Sequence, residues 1–118
     1  MDAVELYELG GEHDSAGREA EAIPLYEQAL AAGLSGEQRA RCLLQLGSSL
    51  RNVGRFDDAV ALLQDARREF PAFRPLRGFL ALALHSAGRD RDALRELLEA
   101  LADEGEYERA LRAYAAEL

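Results

Sequence analysis

Lysine and tryptophan are absent from this 118-residue chain, and cysteine and methionine occur once each. All fourteen basic residues are therefore arginines, a bias of coding to which we attach no functional weight. The lone Cys42 excludes an internal disulfide and any metal site built from several cysteines, and it fits a reducing compartment. No apolar run approaches the ~20 residues needed to cross a bilayer. The acidic start, Met1-Asp2-Ala3-Val4-Glu5, lacks the basic region and apolar stretch of a signal peptide. A formal net charge of −8 argues against nucleic acid and anionic membrane as partners. These absences lead to the expectation of a soluble, cytoplasmic, single-domain protein spanning residues 1–118.

What is present is helical material. The chain is 48% hydrophobic and 31% charged, far from the composition of disorder. It is rich in Ala, Leu, Glu and Arg, all strong helix formers, and has only three prolines. Gly-Arg recurs at Gly17-Arg18, Gly54-Arg55 and Gly88-Arg89, at spacings of 37 and 34 residues. The flanking segments align in one register. Leu9-Gly10, Leu46-Gly47 and Leu80-Ala81 precede the pairs, and Ala22, Ala59 and Ala93 follow, each with a large residue four positions on: Tyr26, Leu63 and Leu97. Small residues return at Ala29, Ala66 and Ala100.

Large and small residues at i, i+3, i+4 and i+7 mark one face of a helix, so each copy reads as helix-turn-helix. The glycine of each pair suits the left-handed residue that ends a first helix. Acids in the next turn (Glu19 and Glu21, Asp57 and Asp58, Asp90 and Asp92) suit the positive end of a second helix. Asp2-x-x-Glu5 and Ser35-x-x-Gln38 read as capping boxes, and Pro71 and Pro75 bracket a link. The pattern predicts helices near 3–14, 18–32, 38–52, 56–69, 75–86, 90–103 and 106–117. Pro24, inside the second helix, is expected to bend or loosen it, which with Gly10-Gly11 makes the first copy the softest.

In this register the chain resembles the tetratricopeptide repeat family, with its period of ~34 residues and its pattern L-G-x2-Y…A-x3-F…P. Leu46-Gly47-x-x-Leu50, Ala59-x3-Leu63 and Pro71 match best. The family tryptophan is missing, and His13, Leu50 and Leu84 replace its first-helix tyrosine. The resemblance implies an all-α fold, a right-handed α-α superhelix of three helix-turn-helix repeats plus a C-terminal capping helix. Repeat one would span 3–36, repeat two 40–73, repeat three 74–105 and the capping helix 106–118.

Motifs for catalysis, phosphate cradling or metal binding are missing, so no enzyme activity, cofactor or metal is expected. His13 reads as a packed or half-buried residue and Cys42 as an inert thiol. The feature that stands out is charge distribution. Residues 38–56 hold Arg39, Arg41, Arg51 and Arg55 without an acid, and residues 71–89 hold Arg74, Arg77 and Arg89 without one. In the family, first helices line the concave surface that binds peptides. The family register places Val4, Tyr7 and Gly11, then Arg41, Leu44, Ser48, Arg51 and Asn52, then Leu82, His85 and Ser86 on that surface. Such a groove suits a protein or peptide partner, an acidic segment included, since Arg holds carboxylates bidentately. Tyr7, Gly11, Leu44 and Gly78 stand where a Lys/Asn clamp for C-terminal carboxylates would require other residues, which argues against that clamp. The expected function is a non-catalytic interaction module. The alternative is a self-associating structural homodimer paired through Val4, Tyr7, Tyr107 and Tyr114.

Overall fold

The computed structural model describes residues 1–103 and 105–118; Glu104, inside the expected repeat three, lies outside the described residues. Among the described residues seven helices follow one another: α1 (Ala3–Ser15), α2 (Glu19–Ala31), α3 (Gly36–Asn52), α4 (Phe56–Glu69), α5 (Pro75–Ser86), α6 (Asp90–Ala102) and α7 (Glu108–Ala116). Each packs on the next, and α3 also packs on α5. The result is an all-α solenoid of 49 × 28 × 21 Å.

The Gly-Arg pairs set the hairpins by one repeated device. Gly17, Gly54 and Gly88 sit at φ +79°, +88° and +78°, which a side chain would disfavour. The arginine N–H that follows reaches back to a first-helix carbonyl: Arg18 to His13 at 2.8 Å, Arg55 to Leu50 at 2.9 Å and Arg89 to Leu84 at 2.8 Å. This is the Schellman closure. The carbonyl of the same arginine then accepts the first bond of the second helix, from Ala22, Ala59 and Ala93. One dipeptide thus closes a helix and opens the next.

Two expectations at helix starts part company. Asp2 and Glu5 form the full capping box of α1. Ser35 precedes α3 without any side-chain bond, and Gly36, the first residue of the helix, sits at φ +65°. Pro24 leaves α2 unbroken. Its ring is exposed, and so is Ala20, whose carbonyl loses its helical partner. Water can solvate that carbonyl, so the helix continues.

Small residues allow the hairpins to close. A Cβ on Gly10 would lie 2.7 Å from the Tyr26 ring, and one on Gly47 2.5 Å from Leu63. Tyr26 is fully buried, and its hydroxyl donates to Asp14 at 2.8 Å. The core continues through Leu43, Leu46, Leu50, Val60, Leu63, Leu76, Leu80 and Leu84. At the opposite surface of α1, Glu5, Glu8 and Glu12 are exposed at i, i+3 and i+7.

Repeat three departs from this apolar plan at one point. Glu96 is buried and meets Arg67 and Arg77, each at 2.5 Å. Arg77 also reaches Asp103 at 2.7 Å. The equivalent positions of repeats one and two hold Leu6 with Leu25 and Leu43 with Leu62.

Candidate partner-binding surface

The first helices α1, α3 and α5 present the residues that the sequence assigns to the groove. Tyr7 on α1 is half-buried, its ring centroid 6.2 Å from that of Tyr26, and burial raises its phenol pKa. On α3, Arg41 is exposed, 2.9 Å from Glu37 and 5.7 Å above the Phe73 ring. Leu44 and Ser48 are half-buried, and Leu44 packs against the core. Arg51 donates through Nε to Ser86 Oγ of α5 at 2.8 Å and lies 3.5 Å from Asn52 Oδ1. On α5, Leu82 is exposed, and His85 Nδ1 lies 2.7 Å from Asp90.

The structure brings Arg51, Asn52 and Ser86 together and ties Arg41 to Phe73. The remaining arginines of the two basic segments are engaged elsewhere. Arg39 pairs with Glu69 at 2.6 Å, Arg55 with Asp58 at 2.9 Å and Arg89 with Asp92 at 2.9 Å. Arg74 donates to the Ala100 carbonyl at 2.8 Å, and Arg77 serves the Glu96 cluster. Arg41 pairs with Glu37 within α3, and Arg51 bridges α3 to α5.

Two depressions flank this row. One, of about 610 Å³, lies along α1 and includes Glu8, Glu12 and Asp14, with Gln45 contributed by α3. The Oε1 atom of Gln45 is buried without a hydrogen-bond partner among the described residues. This acidic end was missed from sequence, although Glu8 and Glu12 stand at i and i+4 on one face of α1. The other depression, of about 460 Å³, is lined by Gly78, Ala81, Leu82 and His85 of α5 and by Ala93, Leu94 and Leu97 of α6. Leu94 and Leu97 are 46% and 44% exposed, whereas their counterparts Val60 and Leu63 in repeat two are 4% and 1% exposed.

Cys42 is fully buried, with Sγ 3.7 Å from the Tyr26 carbonyl. Burial pushes its thiol from 9.0 up to about 12, against a smaller lowering by Arg39. A thiol so placed stays protonated and unreactive at neutral pH. His13 is half-buried and accepts a bond from Arg18 Nε at 2.9 Å. Among the described residues there is no group of three or more His, Cys, Asp or Glu side chains placed to hold a metal ion, and no helix is long and apolar enough to cross a membrane.

Comparison with known proteins agrees with this architecture. No curated protein matches the chain. The solved structure of PcrH in complex with the chaperone binding region of PopB superposes with a TM-score of 0.72 at 19% identity, covering 98% of this chain and 92% of that one. At that identity the likeness speaks to the fold. A family model described as tetratrico peptide repeat matches residues 3–118, so the chain belongs to the tetratricopeptide repeat family.

Proposed function

We propose that the protein is a non-catalytic interaction module that takes a segment of a partner protein along the surface of α1, α3 and α5. The observation that carries this reading is the placement of Arg51, held by Ser86 across the α3–α5 junction and beside Asn52. A guanidinium fixed at its Nε keeps outward donors for a carboxylate at little further loss of side-chain freedom. Arg41 offers a second cation nearer Tyr7, with half-buried Leu44 and Ser48 between the two. Half-buried Gln45 adds an amide beside the acidic depression. PcrH, whose fold is similar, was solved with a segment of another protein bound, which supports the same use of the fold here.

The groove is graded in charge. Glu8, Glu12 and Asp14 lie at one end, the two arginines at the centre and Leu82 at the other end. A matching segment carries a carboxylate centrally and an apolar side chain toward repeat three. Arg41→Glu combined with Arg51→Glu is expected to weaken capture of such a peptide by ~tenfold or more, in line with loss of charge-assisted bonds. Fluorescence anisotropy with a labelled acidic peptide reads the effect, with circular dichroism confirming the fold. Equal affinity in wild type and double variant refutes the assignment.

A further inference from the structure

In repeats one and two, the second helix is covered by the first helix of the next repeat. α2 packs on α3 and α4 on α5, and Ile23, Tyr26, Val60 and Leu63 are all buried, Tyr26 and Leu63 also against Gly10 and Gly47 of their own first helices. By the same rule α7 should lie over Leu94 and Leu97 of α6, and it does not. It docks round the side of α6, where Arg95 donates to the carbonyls of Ala115 and Leu118. Ala102 and Ala115 are buried, although the counterparts of Ala102 in the earlier repeats, Ala31 and Arg68, are exposed. The leucine face of α6 (Leu94, Leu97 and Leu101) therefore stays open.

The chain carries a helix face that fits this opening. Counting 34 residues on from Phe73, Leu76 and Leu80, the start of the repeat and the residues α5 buries, gives Tyr107, Ala110 and Tyr114. Tyr107, the N-cap of α7, precedes the stripe of Ala110 and Tyr114, and both tyrosines are exposed, at 67% and 63%. Two complementary apolar faces thus stand open in one molecule. If α7 swung onto its own leucine face, Ala102, Ala115 and the Arg95 bonds would be given up. A second copy satisfies both faces and leaves those contacts intact.

We infer that two copies of this chain associate by seating the tyrosine face of each α7 on the leucine face of the other copy's α6. Charge supports the orientation. Neighbouring helices in the array are joined by short links and run antiparallel, and an antiparallel α7 brings its Glu117 to the end of α6 that carries Arg91. Arg91 makes no hydrogen bond or ion pair among the described residues. It stands three residues before Leu94 on the same stripe, as Glu117 stands three after Tyr114.

Light scattering coupled to size exclusion, over a series of concentrations, tests this with two double variants, of which the tyrosine one lies outside the peptide groove. Leu94→Ser with Leu97→Ser, and separately Tyr107→Ser with Tyr114→Ser, should each weaken dimerisation by ~tenfold or more, because each removes apolar area from both contacts. Circular dichroism confirms that both remain folded. An equimolar mixture of the two should regain a dimer, since one intact leucine face then meets one intact tyrosine face. A wild type that stays monomeric at all concentrations overturns the inference. So does a tyrosine variant that dimerises unchanged, which would mean leucine faces pairing with each other. A mixture that stays monomeric also overturns it. Peptide capture by the Tyr107/Tyr114 variant reads the groove separately, so that unaltered capture leaves the groove reading intact whatever the oligomeric state.

Discussion

Glu96 is a buried carboxylate whose two oxygens are each claimed by an arginine. Removing one member of such a group leaves charge stranded in the interior. Glu96→Ala is expected to cost about 3–5 kcal/mol in urea denaturation. Replacing Arg77 and Glu96 together by Leu restores the apolar pair used by repeats one and two, and should fall within ~1 kcal/mol of wild type or above it. The cluster had a trace in the sequence, since Arg77 and Glu96 depart together from positions that hold leucine in both earlier copies. Read as net charge, Arg77 looked like part of a basic surface. Charge counts along the chain say nothing about which way a side chain points, and Arg39, Arg55 and Arg89 were absorbed by local acids for the same reason. Cys42 gives a second test at this scale. Its thiol is raised in the folded state, so its share of stability is complete below the unfolded value of 9.0 and is lost as pH climbs toward about 12. Urea midpoints should fall across that window, less steeply in Cys42→Ala. Tyr26, raised by burial and by Asp14, adds its own loss above pH 10 in both proteins.

The helices themselves were legible nearly to the residue, because a repeat triples every local signal. Second helices begin at Glu19, Phe56 and Asp90, directly after the arginine of each turn. What pattern could not reveal was how a local rule fares in its surroundings. Ser35 has the right spacing for a capping box, but its side chain makes no cap bond, and Gly36 sits at positive φ. Pro24 was expected to disturb α2, yet the carbonyl it orphans lies on an exposed turn. Exposure limits the damage without abolishing it. Pro24→Ala restores one helical bond and relieves the ring, and should stabilise the protein by about 1–3 kcal/mol. Thermal denaturation reads this as a higher Tm, and an unchanged Tm would show that α2 carries no strain there.

Across the whole molecule the two ends differ. The C-terminal end leaves leucines open, a feature that periodicity alone could not disclose, since Leu94 and Leu97 repeat their buried counterparts faithfully. The register of α7 continues the repeat while its position does not. The opposite end is the three-carboxylate stripe of α1, Glu5, Glu8 and Glu12. A solenoid with matched ends would polymerise, each copy offering its first helix to the last helix of the one before. Here that junction would press three carboxylates into a leucine bed, and desolvating them unpaired is prohibitive. By that penalty the association inferred above would stay a closed pair and not extend into a fibre.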